Sequence, residues 1–193
     1  IRIRLLQCLT QQVPLHIAIV GGGATGVELA AELVQLVEAV TAYGAPGLAE
    51  CITITLVEAG PRLLAGFPED ISAATRARLE AIGIRVLTDT QVSAATADAF
   101  VLASGDELQA TLKVWAAGVK GPDFLADLDG LEANRNNQLV VGPTLQATRD
   151  PAIYALGDCA ALTPPGASRA LPPTAQVAHQ QAKYLVKALP RAL

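Results

Sequence analysis

A glycine-rich loop and a distant Gly-Asp pair are the residues of this chain best suited to chemistry. The loop is Val20-Gly21-Gly22-Gly23-Ala24-Thr25-Gly26, in which Gly21, Gly23 and Gly26 are spaced Gly-x-Gly-x-x-Gly. That spacing has a mechanical reading. Gly21 permits a tight turn, Gly23 lets a pyrophosphate come against backbone, and Gly26 lets a helix lie close on a strand. Ala24 and Thr25 would open that helix, whose unpaired N–H groups and dipole attract phosphate. Glu58 follows a β-branched run and is placed to accept hydrogen bonds from both ribose hydroxyls of an adenosine. A carboxylate there repels a 2′-phosphate, so NADH is expected over NADPH. Arg62, close by in sequence, keeps NADPH from being excluded.

The Gly-Asp pair is Gly157-Asp158, after Pro151-Ala152-Ile153-Tyr154-Ala155-Leu156. This run reads as a buried strand delivering a carboxylate to its C-terminal end, the edge at which open α/β sheets bind ligands. An ordinary helix N-cap aspartate is the competing reading. Glu28 reads as a first-turn carboxylate, either an electrostatic cap or a group near the nicotinamide end of a bound dinucleotide. Cys159, His16 and His179 read as packing or surface residues rather than as a nucleophile or ligands.

These residues need elements to position them. Leu15–Val20 is a short apolar run that stops at glycine, as a buried parallel strand does. Apolar residues from Val27 to Val40 fall near helical spacing, and the breaker cluster Tyr43–Gly47 ends the helix. Cys51–Val57 predicts a second strand, ending at Glu58. The distance from Gly26 to Glu58 exceeds the usual roughly 20 residues; the long first helix and the Gly44–Gly47 loop account for it. Pro68-Glu69-Asp70 predicts the start of a second helix running to about Ile82, with Ile84–Leu87 a third strand. Residues 90–112 break into short alternating pieces around Ser104-Gly105-Asp106, which predicts an inserted β-meander. Leu112–Ala116 returns to a buried strand, ending in Ala117-Gly118. Residues 1–12 suit a short helix or lead-in strand. The tail from Pro172 onward reads as a helix carrying Thr174-Ala175-Gln176 in its first turn.

Composition narrows the classes. The chain has 193 residues, of which 51% are hydrophobic and 4% aromatic, an ordinary globular α/β mixture. A net charge of −4 speaks against nucleic acid as a partner. No apolar run approaches the length of a membrane span, and no signal-peptide layout precedes the first strand. The 3 cysteines, Cys8, Cys51 and Cys159, show no CxxC and no metal-ligand spacing, which suits reduced, mostly buried thiols in a cytoplasmic protein.

Several segments together resemble the type II NADH dehydrogenases (NADH:quinone oxidoreductases) of the pyridine nucleotide-disulfide oxidoreductase superfamily. Ile17–Leu33 (IAIVGGGATGVELAAEL) resembles that family's NADH-binding loop and helix. Val114–Val119 (VWAAGV) is similar to the strand that closes the NADH domain, and Thr148–Asp158 (TRDPAIYALGD) to the second flavin motif. Leu171–Gln181 (LPPTAQVAHQQ), the most specific piece, resembles the Ala-Gln-x-Ala-x-Gln segment beside the isoalloxazine.

The resemblance implies that Gly21, Gly22, Gly23, Ala24, Thr25, Gly26 and Glu58, with Ala117 and Gly118, hold NADH. It implies that Gly157 and Asp158 hold the flavin ribityl chain, that Ala175 and Gln176 sit at the flavin ring, and that Gln176 and Gln180 approach a quinone. Glu28 matches a glutamate proposed to act near nicotinamide and quinone. The implied reaction passes a hydride from NADH to FAD and electrons on to the quinone.

The implied fold is α/β: a Rossmann-like NADH-binding domain with an inserted β-meander (13–119), then the C-terminal part of an FAD-binding domain (120–193). The family's first glycine motif, for the ADP part of FAD, has no counterpart before Gly21, and its C-terminal membrane-docking segment has none after the last helix. The chain also contains no methionine. The expectation is therefore a fragment that binds NADH, does not retain FAD and is inactive alone. Its parent enzyme would be cytoplasmic and peripheral at the inner face of the cell membrane, with a homodimer left open. A related ferredoxin-, rubredoxin- or disulfide-type reductase, or a non-catalytic NADH-binding module, are the alternatives.

Overall fold

The structure is a computed structural model that describes residues 13–44 and 47–192. The predicted lead-in element at 1–12, with Cys8, lies outside the described residues. The chain divides into two compact units, 1–118 and 119–193.

The first unit is built on four parallel strands, β1 (Leu15–Val20), β2 (Ile52–Val57), β3 (Arg85–Leu87) and β7 (Leu112–Trp115), in the order β3-β2-β1-β7. Helices α1 (Ala24–Ala42) and α2 (Glu69–Ala81) make the crossovers from β1 to β2 and from β2 to β3. Both pack their apolar sides on one face of the sheet, where Ala30 and Leu79 meet Ile17, Ile19, Ile54, Leu56 and Ile84. The fully buried Ile19 and Leu56 each stabilise the unit by about 1.5–3 kcal/mol through loss of contact with water.

The other face is covered by a meander of β4 (Val92–Ala95), β5 (Ala99–Leu102) and β6 (Glu107–Gln109), antiparallel in that order. Phe100 and Ala110 close on Ala18, Val20 and Val57 there. With both faces covered, β1 has no clean alternation. Five of its residues are buried and His16 is exposed, its Nδ1 2.6 Å from Thr53 Oγ1. This is the doubly covered parallel sheet of a Rossmann-like fold.

The predicted elements of this unit stand, with small shifts. Cys51 belongs to a single helical turn, Leu48–Cys51, and β2 begins at Ile52. The 19 residues of α1 and this extra turn account for the long path from Gly26 to Glu58.

The second unit has less regular structure. A two-stranded parallel sheet joins β8 (Leu139–Val141) to β9 (Ala160–Leu162), and α3 (Ala175–Ala192) sets Leu185 into a core with Leu125, Leu139, Val141, Leu145 and Ala155. Thr174 caps α3, its Oγ1 accepting from the N–H of Val177 at 3.3 Å. Pro172 and Pro173 precede the helix, which therefore starts later than the predicted Pro172.

One expectation is overturned here: Pro151–Leu156 is not a strand. The Asp150 side chain accepts from the N–H of Ala152 at 2.8 Å and its carbonyl accepts from Ile153 at 3.2 Å, so the chain turns over Pro151. Ile153 to Ala155 are then tied singly to the 145–147 segment, through one bridge between Gln146 and Tyr154 and isolated backbone bonds. Asp158 consequently lies in a 3-10 turn (Gly157–Cys159) leading into β9, not at the end of a preceding strand. Cys51 and Cys159 are free and half-buried rather than buried. Among the described residues no helix is long and apolar enough to cross a membrane.

Candidate dinucleotide site and flavin-motif region

The glycine loop joins β1 to α1 at the point where strand order reverses, the C-terminal crevice in which such sheets bind ligands. Its glycines do different jobs. Gly21 has φ +118°, and a Cβ there would sit 2.8 Å from the backbone of Ala116 at the end of β7. Its N–H donates to Val57 O at 2.8 Å. A Cβ on Gly26 would lie 1.9 Å from the Gly21 carbonyl oxygen, so helix and turn approach as only glycine allows. Gly23 is the opposite case, since a Cβ on it would meet nothing within 4 Å. Its bare backbone faces open space.

Gly23, Ala24 and Thr25 are all exposed. Gly23 precedes the helix without side-chain capping, and the first turn of α1 holds no acidic residue. The first N–H groups of a helix lack intrahelical partners. This end of α1 is thus a polar, partially positive cradle that no acidic side chain of its own first turn neutralises.

Glu28 departs from its expected place. It lies a turn beyond the helix start, is exposed, and is not among the first-turn acids, so the electrostatic-cap reading fails.

Glu58 is held more tightly than its position alone suggests. Its Oε2 accepts from Gly22 N–H at 2.6 Å and its Oε1 from Gly60 N–H at 2.7 Å. A Cβ on Gly22 would fall 2.9 Å from Glu58 Cβ and Oε2, and 2.6 Å from Leu63 Cδ2. The residue between the first two motif glycines must itself be small for the carboxylate to reach across. Each carboxylate oxygen retains acceptor capacity beyond one hydrogen bond, enough for the two ribose hydroxyls expected there.

Arg62 spends its guanidinium on backbone. Its guanidinium donates to the carbonyls of Ala65 and Phe67, both at 2.8 Å, and to Leu64 at 3.4 Å. The cation that had kept NADPH open is engaged within its own loop. At the β7 edge, the Trp115 indole N–H donates to Ala117 O at 2.8 Å, and Gly118 turns away with φ +73°.

In the second unit the structure groups Gly157, Asp158 and α3. Gly157 has φ +63°, and its N–H donates to Gln181 Oε1 at 2.7 Å. Gln138 Nε2 donates to the Asp158 carbonyl at 3.1 Å. The Asp158 side chain is exposed, as are Ala175 and Gln176 at the start of α3. Gln176 and Gln180 lie one helical turn apart and share a face. Gln180 also lines an apolar cavity of about 260 Å³ with Leu145, Leu162, Val177 and Tyr184.

Sequence reasoning passed over Gln181 and Gln138, the amides that hold the Gly157–Asp158 turn. For Gln181 a signal existed: it shares a helical stripe with Leu185, a position at which a buried polar residue calls for a partner.

Both site regions fall inside one family match: residues 6–182 fit the model of the pyridine nucleotide-disulphide oxidoreductases, and the chain belongs to that family. It is 47% identical over 182 residues to a type II NADH:quinone oxidoreductase from Haemophilus influenzae, covering 94% of this chain and 41% of that protein. A Staphylococcus aureus protein of the same name is 33% identical over 183 residues, 93% of this chain and 44% of its own length. Among solved structures, NDH2 from Plasmodium falciparum in complex with NADH superposes with a TM-score of 0.71 at 28% identity, over 82% of this chain and 36% of that one. The chain thus spans less than half the length of these relatives.

Proposed function

We propose that the 13–119 region binds NADH at the Gly21–Gly26 loop, and that the chain is part of an FAD-dependent NADH dehydrogenase that reduces a quinone. The observation that carries this reading is the pairing of an open Gly23 backbone at a helix start with a Glu58 carboxylate held by Gly22 and Gly60. The first suits a pyrophosphate; the second suits the diol of an unphosphorylated adenosine ribose. The engagement of Arg62 by loop carbonyls adds to the preference for NADH.

The residues of 120–193 fit a flavin. Asp158 is exposed for ribityl hydroxyls, and the N-terminal N–H groups of α3 at Ala175 and Gln176 suit the electron-rich edge of an isoalloxazine. Bound FAD would supply the hydride-accepting and electron-relaying chemistry. The protein's part is orientation: Gly157 and Gln181 set the turn that presents Asp158, and α3 presents Gln176 and Gln180 together. Glu28, exposed on α1, is the carboxylate proposed to act near nicotinamide and quinone. The relatives' names carry the quinone, and attachment to a membrane surface is proposed on the same basis.

The chain has one Gly-x-Gly-x-x-Gly loop, assigned here to NADH, so it is expected to bind NADH without retaining FAD. Calorimetric titration of the chain with NADH and NADPH, alongside Glu58→Ala, tests the assignment. A preference for NADH that collapses in the variant supports it. Absence of NADH binding, or stoichiometric FAD in the purified chain, sinks it.

A further inference from the structure

The loop from Pro61 to Phe67 has an architecture that nucleotide binding alone does not explain. Leu64 adopts φ +50°, a left-handed conformation unfavourable for a leucine and kept only where the surroundings over-determine it. Three sets of contacts do so. Leu64 N–H donates to the Gly22 carbonyl at 2.8 Å, seating the loop on the glycine turn. Leu63 is buried, its Cδ2 occupying the space a Gly22 side chain would fill, and its carbonyl accepts from the Ser72 hydroxyl. The Arg62 guanidinium gathers the carbonyls of Leu64, Ala65 and Phe67 from inside the curve.

We infer that Arg62 is a positioning residue for the dinucleotide site, stapling the 61–67 loop so that Leu63 and Leu64 hold the Gly22 peptide in register with Glu58. This rests on the assignment of the Gly21–Gly26 loop to NADH. Arg62 touches no part of the nucleotide in this role. It acts by fixing the wall against which the Gly22 N–H stays aimed at the Glu58 carboxylate. A guanidinium suits the task because its planar fork serves several acceptors at once, which an ammonium on a flexible stem does less well.

The opposing role, direct binding of a 2′-phosphate, makes a different prediction. Trp115, the chain's one tryptophan, lies at the end of β7 beside the glycine turn, where energy transfer to a bound nicotinamide would report binding. NADH and NADPH affinities would be measured this way for the wild-type chain, Arg62→Met and Arg62→Lys, with far-UV circular dichroism on each. A staple predicts that Arg62→Met weakens both nucleotides in the same proportion, by about tenfold, because only the part of the lost loop order that reaches Gly22 and Glu58 shows in binding. Arg62→Lys should recover part of the loss, and a few millimolar guanidinium ion should restore binding to Arg62→Met.

Unchanged NADH affinity in Arg62→Met overturns the inference, as does a selective loss of NADPH. Should Arg62→Met fail to fold, Arg62→Lys decides by the same ratio: equal weakening supports the staple, and unchanged NADH binding overturns it. A wild-type chain that binds neither nucleotide refutes the NADH assignment itself, a result separable from the variants' behaviour, and the inference falls with it.

Discussion

The glycine turn of the first unit and the Gly157–Asp158 turn of the second solve the same local problem by different means. Each presents a polar surface from a glycine with positive φ, at Gly21 and Gly157. The first is framed mainly by backbone, with the Glu58 carboxylate as its one side-chain partner: Gly21 bonds to the end of β2, Ala116 past the end of β7 bonds to Val20, and Leu64 bonds to Gly22. The second is framed by side-chain amides, with Gln181 holding Gly157 and Gln138 holding Asp158. A four-stranded parallel sheet can supply aligned strand ends to frame a turn; a two-stranded one has few to offer. Where regular structure is short, specific side chains take over, and single substitutions there have larger consequences than their exposure suggests.

The contrast is sharpest within the glycine turn. Gly26→Ala is expected to have the largest effect, because its Cβ would lie 1.9 Å from a carbonyl oxygen. Overpacking of this kind destabilises by roughly 1–3 kcal/mol or more, and the displaced helix should also lose NADH. A thermal melt paired with nucleotide titration would register both losses; an unchanged melt would mean the turn relaxes at no cost.

Gly23→Ala should separate the two properties. With nothing within 4 Å of the new Cβ, stability should stay within about 0.5 kcal/mol. If the proposed site is right, NADH affinity should fall by about tenfold to a hundredfold, since the methyl group would enter the space proposed for a pyrophosphate. Full retention of binding would show that the dinucleotide does not approach Gly23.

In the second unit, Gln181→Ala removes the acceptor of the Gly157 N–H, and Gln181 is 7% exposed. A loss of about 1–3 kcal/mol is expected for an orphaned, partly buried donor, measurable by urea unfolding. Gln181→Glu keeps an acceptor but buries a carboxylate at this site, so it should recover most of the loss only in acid, where the carboxyl is neutral. Equal losses in both variants in acid would place Gln181's contribution in packing rather than in the hydrogen bond.

The smallest effect belongs to the surface pair Lys120–Asp123. The Lys120 ammonium hydrogen-bonds Asp123 and attracts it electrostatically, lowering its pKa below the ordinary carboxylate value of 3.8, with Asn137 assisting. A depressed carboxylate contributes stability present above its unfolded value and lost as pH falls through its folded value. Lys120→Ala should therefore move Asp123 titration up towards 3.8, visible by carboxyl-carbon NMR. Any stability difference from the wild type should vanish in stronger acid. An unmoved titration would show that the pair does not persist in solution.

The fold of the first unit was legible because its signals are local and repeated. Apolar runs ending at glycine mark the parallel strands, helical spacing marks α1, and Ser104-Gly105-Asp106 marks the meander turn. Pro151–Leu156 misled for the same reason. An apolar run reads as a strand unless something turns the chain, and here Asp150 does so through its side chain, which accepts from Ala152, and its carbonyl, which accepts from Ile153. Glu28 misled although the helix starts at Ala24 as read: it is the fifth helical residue, a turn past the free N–H groups at which a carboxylate caps the dipole.

By itself the sequence determined the order of the strands along the chain, the glycines that a tight turn demands, the acid at the end of β2 and the segments that resemble a family of dinucleotide enzymes. These follow from residue types and short spacings, which act over a few bonds. Only the tertiary structure decided that Glu58 is gripped by Gly22 and Gly60, that Arg62 turns into its own loop, and that Gln181 holds Gly157. Each of these joins backbone or side chains whose meeting depends on how strand ends and loops pack, and hydrogen bonds act only at contact distances that no linear spacing specifies.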